Sequence, residues 1–501
     1  MRAVAGDGGR LVKLGTLVAR VPGARLGADP DLDVREIGHD SRHASAGSLF
    51  VAIRGQVADG NRFVDAARKR GAVAVVSEQP AAPGVPWVQV NDAREALAVL
   101  SAALAGDPAL NLTLAGVTGT NGKTTTCYLL DAALRAAGHR VGLIGTVQYR
   151  IGDRVAEAVR TTPESSDLQA LLKQMAAEPV SHVVLEVSSH ALAQKRVHGV
   201  PFAVAIFTNL SRDHLDFHGD MDTYFAAKRV LFDTLLREDG HAILNADDRR
   251  SDELARVARG RVTTYGILRR GDVSAAEVVL SLQGTAFKVL TRLGEFAVRT
   301  PLLGRFNVAN ALAALAGALA LGVPIEAALR GIASVSGVPG RLERVTGAQE
   351  FAVIVDYAHT DDALKNLLET VRELGPRRML TVFGCGGDRD RTKRPLMGAV
   401  AARLSDVVLV TSDNPRSEPP EAIIEEILRG MNGGRGAERH VIVDRREAIA
   451  AALEMARPGD AVVIAGKGHE TSQVLRDRAV PFDDRQVARE LLARHSVRSG
   501  K

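Results

Sequence analysis

At 501 residues, 46% of them hydrophobic and 25% charged, the chain has the make-up of an ordinary globular protein, with length for about three domains at roughly 150 residues each. Its formal charge of +5, from 64 basic and 59 acidic residues, is spread without clustering; that excludes a nucleic-acid-binding stripe and fits a solvated surface or an anionic small substrate. Cys127 and Cys385 are the only cysteines, which excludes a disulfide framework and fits a reducing compartment.

The opening stretch MRAVAGDGGRLVKLGTLVAR holds no continuous apolar run, so no signal peptide is expected and the protein is expected in the cytoplasm. Short apolar segments at 48–53, 72–77 and 87–90 alternate with helical patterns, of which DAREALAVLSAALAG (92–106) is the clearest. Gly106-Asp107-Pro108 breaks the chain, and a first domain is expected over residues 1–107. LTLAGVTGT (112–120) reads as a buried strand entering a Gly-rich turn, and TTTCYLLDAALRAAG (124–138) as the helix that follows. Further strands are predicted within 139–146, 182–189, 203–209 and 241–248. Apolar strands alternating with helices predict a mostly parallel sheet covered on both faces. Residues 306–325 carry no charge and approach the ~20 apolar residues of a membrane span. Asn307, Asn310, Gly317, Gly322 and Pro324 inside them instead predict a buried helix of a soluble domain.

SGVPGRLE (336–343) reads as a second hinge, giving a central domain over 108–337 and a third over 338–501. Strand-plus-loop segments recur there at 351–359, 378–387, 406–415 and 461–468, each ending in polar or glycine residues. In parallel sheets that end of the strand is where ligands bind.

Gly119-Thr120-Asn121-Gly122-Lys123-Thr124-Thr125 lies between a strand and a helix, the context of a phosphate-binding P-loop. Lys123 can neutralise β- and γ-phosphates and Thr124 can hold Mg²⁺. The strict spacing wants glycine at 117, where Val117 stands. Glu186, closing a strand, is where a second Mg²⁺ ligand would sit, with a capping or solvated strand-end acid as the alternative. His190 on its own reads as a satisfied polar residue. Asp213, His214 and Asp216 could bind metal or act as bases, and could equally form a local capping network. Lys228 on its helix reads as solvated. Asp388-Arg389-Asp390-Arg391 and Asp413-Asn414-Pro415-Arg416 each present an arginine on a strand-end loop, suited to clamping a carboxylate, with surface ion pairs as the alternative. Gly466-Lys467-Gly468-His469-Glu470 supplies a third loop that lets backbone approach closely.

In chain order, DSR (40–42), TGTNGKTTT (118–126), TTP (161–163), EVSSH (186–190), FTNLSRDHLD (207–216), AAK (226–228), NADD (245–248), GRFNVANALAA (304–314), GRLE (340–343), DYAHT (356–360), FGCGGDRD (383–390), DNPR (413–416) and GKGHE (466–470) together resemble the Mur ligases over essentially the whole chain. The shifted glycine of the P-loop is typical of that family; Asp361, where the family usually has proline, departs from it. The resemblance implies an α/β protein of three domains: a UDP-substrate-binding domain, a central ATP-binding P-loop domain and a C-terminal Rossmann-like domain. It implies a cytoplasmic bacterial ligase, monomeric and independent of nucleic acid and membrane. That ligase would use ATP and Mg²⁺ to join meso-diaminopimelate to the D-Glu of UDP-N-acetylmuramoyl-L-Ala-D-Glu. By the same resemblance His39, Ser41, Thr161, Thr162, Ser188, Gln194 and Arg196 hold the UDP-substrate. Gly119, Thr120, Asn121, Gly122, Lys123, Thr124, Thr125, Asn310, Arg341 and Asp356 bind ATP. Thr124, Glu186, His214 and a carbamylated Lys228 hold metal, and Lys123, His214 and Lys228 are the catalytic set. Arg389, Asp413, Asn414, Pro415, Arg416, Gly466 and Glu470 recognise diaminopimelate. A lysine-adding ligase, another Mur or folylpolyglutamate-type ligase, and a nucleotide-driven switch are the alternatives; the paired arginine loops speak against the last.

Overall fold

A computed structural model describes residues 11–55, 58–431 and 437–498, with side chains to 494; the first ten residues of the opening stretch lie outside it. The chain forms two compact units, residues 1–274 with 309–332, and residues 275–308 with 333–501.

The first unit contains two large sheets, each with its own core, and a short antiparallel pairing of Val12–Lys13 with Asp33–Val34. The smaller has the order Arg25–Gly27, Trp87–Gln89, Ala72–Ser77, Ser48–Val51, Glu36–Gly38. Its apolar face takes Leu49, Val51, Ala74, Val76 and Val88 against Ala93, Leu97 and Leu100 of the helix Ala93–Ala105. That helix starts and stops where local chemistry dictates. The Asp92 carboxylate accepts the Glu95 N–H, and Gly106 takes the left-handed conformation at the other end.

The larger sheet runs Arg154–Glu157, Gln148–Ile151, Val141–Ile144, His182–Glu186, Thr113–Thr118, Phe202–Phe207, Leu236–Asn245, Arg261–Gly266. It is parallel from Val141–Ile144 onward; the first two strands form an antiparallel hairpin on its edge. One face buries Leu114, Val183, Leu185, Phe202 and Phe207 against Leu168, Leu172, Met175 and Phe232. The uncharged run 306–325 contributes the helix Arg305–Ala320. Its Gly317 lets Ile206 and Leu130 approach closely. Among the described residues no helix is long and apolar enough to cross a membrane.

The second unit holds an antiparallel hairpin, Gly284–Thr291 with Gly294–Thr300, and a sheet ordered Glu343–Arg344, Ala352–Asp356, Ala461–Ala465, Met379–Phe383, Val407–Val410, Glu438–Val441. All but the first pairing are parallel. Period-two alternation sends Ile354 to one core with Leu364, Met397 and Ile424, and Val353 and Val355 to the other with Ile449 and Val487.

Behind the carboxyl ends of two of these strands sits a buried pair. Arg445 and Asp484 both have 0% side-chain exposure and make two bonds of 2.7 Å, while Arg445 also donates to the carbonyls of Ser412 and Ala465. Arg445→Met is expected to leave a buried carboxylate uncompensated and to cost about 3–5 kcal/mol. Urea unfolding of this unit measures it, and a loss below about 1 kcal/mol would show that the pair does not hold the loop bases.

Candidate active site

The P-loop strand Thr113–Thr118 lies between His182–Glu186 and Phe202–Phe207, in a register that pairs Val117 with Glu186 and Thr118 with Phe207. Glu186, Gly119 and Thr208 therefore leave the sheet at one edge. Val117 is fully buried and still in the strand, which is why no glycine is needed there. The turn begins at Gly119, with φ of 151°, where any Cβ would overlap the Thr208 hydroxyl; at Gly122, with φ of 86°, a Cβ would strike the Asn310 amide. The neighbouring loop fixes the turn. Thr120 N–H donates to the Asn209 carbonyl at 2.8 Å, Asn121 N–H to Asn209 Oδ1 at 3.0 Å, and the Thr208 hydroxyl to the Asn121 carbonyl at 2.6 Å. The helix Lys123–Ala136 then presents its first-turn N–H groups at the turn. Thr126 Oγ1 donates to Asn310 Oδ1 at 3.4 Å.

Lys123 Nζ donates to the carbonyls of Gly119 and Thr120, both at 2.9 Å. Lys228, from the helix Met221–Val230, donates to the same Gly119 carbonyl at 2.8 Å and is 1% exposed, over the Tyr224 ring. Two ammonium groups sharing one acceptor repel each other. Burial, and then the Lys123 charge, hold the Lys228 amine well below the ordinary lysine range, with Asp213 opposing. Lys228 is thus a buried amine pressed towards its neutral form, not the solvated lysine its sequence position suggests. His214 adopts left-handed backbone geometry, and its ring packs edge-on at 4.8 Å against His190. Burial lowers the pKa of His214, as do Lys123 and Lys228. His190 is pushed down to about 4, by burial first and then by His214 and His218. Both shifts favour the neutral imidazole, the form that ligates metal.

Glu186 is 1% exposed, yet its partners are all neutral: the Thr124 hydroxyl at 3.1 Å, the Thr146 hydroxyl at 2.9 Å and the Thr146 N–H at 2.9 Å. A buried carboxylate solvated only by hydroxyls and an amide, beside a phosphate cradle, is suited to a cation. Among the described residues no group of three His, Cys, Asp or Glu side chains is arranged to hold a metal ion. A metal here would therefore rest on the Thr124 hydroxyl, Glu186 and phosphate oxygens.

Thr161, Thr162, Ser188, Gln194 and Arg196 form one continuous network. The Thr162 hydroxyl donates to the Glu186 carbonyl at 2.8 Å and accepts from Ser188 N–H at 3.1 Å. Arg196 donates to the Thr162 carbonyl at 3.1 Å and to Gln194 Oε1 at 2.7 Å, and pairs with Glu164 at 2.8 Å. Thr161 and Thr146 hydroxyls meet at 3.1 Å. His39 and Ser41 lie just after Glu36–Gly38; burial raises the Asp167 carboxyl pKa, and His39 is the first of the charges opposing it. Thr146 and Glu164 escaped the sequence reading; Thr146 carried no signal beyond closing a strand, while Glu164 adjoined the quoted TTP.

In the second unit, Arg341 stacks 5.3 Å from the Tyr357 ring. Asp356 accepts the Leu342 and Ala358 N–H groups, and burial raises its pKa against the pull of Arg341. Arg389 and Arg416 flank Gly386: a Cβ there would lie 2.9 Å from Arg416 Nη1 and 3.7 Å from Arg389 Cγ. Both donate to backbone carbonyls, Arg389 to Asp388 and Arg416 to Gly387. Glu418, two residues beyond Arg416, pairs with Arg394. Asn414 Nδ2 donates to Glu470 Oε2 at 2.8 Å. Pro415 is buried, and Gly466, with φ of 120°, leaves room for Asp413 Oδ2, which a Cβ would meet at 2.6 Å.

Family models match three stretches of the chain: Mur ligase family, catalytic domain, over residues 33–104; Mur ligase middle domain over 117–318; and Mur ligase, glutamate ligase domain, over 340–468. A relative from Solibacter usitatus named UDP-N-acetylmuramoyl-L-alanyl-D-glutamate--2,6-diaminopimelate ligase is 50% identical, across 92% of this chain and 94% of its own. One of the same name from Geobacillus thermodenitrificans is 49% identical across 95% and 99%. A solved structure with that name superposes with a TM-score of 0.72 at 34% identity, covering 97% of this chain and 100% of its own. Matched by family models over most of its length and by relatives at about half identity, this chain belongs to the Mur ligase family of ATP-dependent ligases.

Proposed function

We propose that this enzyme adds meso-diaminopimelate to the D-Glu of UDP-N-acetylmuramoyl-L-Ala-D-Glu in peptidoglycan precursor synthesis, acting in the cytoplasm as a monomer. Segments 1–107, 108–337 and 338–501 would carry the UDP-substrate, ATP and amino-acid functions. The D-Glu γ-carboxylate attacks the γ-phosphorus of ATP, ADP leaves, and the amine of the incoming amino acid displaces phosphate from the acyl phosphate. Lys123 and the first-turn N–H groups of its helix neutralise charge on the phosphoryl group in transfer. Asn310, Arg341 and Asp356 contact the nucleotide, and the Thr161–Arg196 network with His39 and Ser41 holds the acceptor. Bound Mg²⁺ would supply the positive charge that lets a carboxylate approach a triphosphate. Thr124 and Glu186 fit one such ion. His214 fits a second only if Lys228 carries a carbamate, since the bare amine is a cation or a neutral donor with no anionic oxygen.

The observation that carries the substrate assignment is the pair Arg389 and Arg416 around Gly386, bonded to carbonyls, with Asn414 of the Arg416 loop tied to Glu470. Diaminopimelate differs from lysine by a carboxylate at the end remote from the reacting amine. A guanidinium can take that group through two parallel bonds. With lysine bound, Arg416 would stay partly desolvated and unpaired, at about 2–4 kcal/mol, or roughly 30- to 1000-fold in selectivity. The test is kcat/KM for both amino acids in wild type and Arg416→Ala. The substitution is expected to collapse the preference for diaminopimelate; an unchanged ratio would remove Arg416 as discriminator and leave the lysine-adding alternative open.

A further inference from the structure

Lys467 lies in GKGHE between two residues assigned to the amino acid, and carries no role of its own in that assignment. Its side chain is 0% exposed. An ammonium has three N–H donors, and here all three are placed: Asn414 Oδ1 at 3.0 Å, Glu470 Oε2 at 3.1 Å and the Ser472 carbonyl at 2.7 Å. Each acceptor belongs to a different part of one site, namely the Asp413–Arg416 loop, the end of the glycine loop and the strand Ser472–Val474.

The consequences for Asn414 and Glu470 are specific. Asn414 Oδ1 accepts from Lys467 and from the Val474 N–H at 2.9 Å, so its amide can face only one way, with Nδ2 turned to Glu470 Oε2 at 2.8 Å. Glu470 Oε2 thereby accepts two bonds, while Oε1 accepts none among the described residues. One oxygen of the carboxylate is tied back and the other keeps its lone pairs for a ligand.

We propose that Lys467 is a positioning residue for the amino-acid substrate, locking the Asn414 amide orientation and the Glu470 carboxylate so that Glu470 Oε1 receives the ammonium group of the incoming amino acid. This rests on reading the two loops as the amino-acid site. Without Lys467, the Asn414 amide loses one of its two orienting donors and Glu470 loses its buried cation, so both rotamers loosen where the substrate's charge must be met.

The test compares Lys467→Met and the shorter Lys467→Gln with wild type, measuring KM separately for amino acid, ATP and UDP-substrate. An increase of about 10- to 100-fold in the amino-acid KM alone is expected, with the other two within about threefold. In an Asn414→Ala background Lys467→Met should add little, because the two act through one network. Parallel increases in all three KM values, full additivity with Asn414→Ala, or failure of both variants to fold would make Lys467 a structural residue and overturn the proposal. The comparison uses whichever amino acid wild type accepts, so an error in the diaminopimelate assignment shows in the wild-type reaction and leaves the Lys467 comparison readable.

Discussion

Lys228→Ala is expected to lower ligation by about 100- to 1000-fold, the range seen when one preorganised charge-stabilising group is removed from an active site. The 1% exposed amine sits beside Lys123 on the Gly119 carbonyl, with its pKa held well below the lysine range. Carbamylation consumes a neutral amine: the nitrogen attacks CO₂, a proton leaves, and the product is an N-carboxylate. The sign of the pH effect follows. Lower pH protonates the amine, sheds the carbamate and reduces activity; added bicarbonate restores it. In Lys228→Ala bicarbonate should have no effect, whereas formate or acetate should restore part of the rate by filling the space with a carboxylate near His214. Wild-type activity indifferent to CO₂ removal, together with unmodified lysine in crystals equilibrated with CO₂ near neutral pH, would sink the assignment.

Sequence reading succeeded where period and punctuation agreed. Ala72–Ser77 and Ala93–Ala105 appear as predicted, the latter with its Asp92 cap and Gly106 stop. The uncharged run 306–325 contributes a helix whose Asn310 touches the P-loop. The antiparallel hairpin Gln148–Glu157 is absent from the predicted strands although the sequence signals it, by alternation around a turn at Gly152, with φ of 56°. The very short strands Arg25–Gly27 and Glu36–Gly38 left no period to read. At the site, motif order named the residues but not their state. Nothing in the sequence around Lys228 says that it is buried against Lys123, and Lys467 is one lysine among many until three acceptors are seen around it. Lys228 meets the Gly119 carbonyl from 109 residues further along the chain, and Lys467 meets Asn414 across 53 residues; linear spacing encodes neither contact.

The largest loss is expected for Lys123→Ala, at least about 1000-fold in ligation, because it removes the cation facing the transferred phosphoryl group; supplying such a charge is worth about 10³–10⁵ in phosphoryl transfer. Stability should change little. The Lys123 side chain donates to the Gly119 and Thr120 carbonyls of its own loop, and the turn keeps its Asn209 and Thr208 anchors. A second effect must be separated from the first. The Lys123 charge is the next cause after burial holding Lys228 neutral, so its removal raises the Lys228 pKa, and more of the amine is protonated at a given pH. Part of the lost activity could then be lost carbamate. Assaying Lys123→Ala at raised pH with saturating bicarbonate removes that part. The phosphoryl-transfer defect should persist at about 1000-fold while wild type gains little. Recovery to within tenfold of wild type under those conditions would mean that Lys123 acts through Lys228, and direct contact of Lys123 with the phosphoryl group would have to be abandoned.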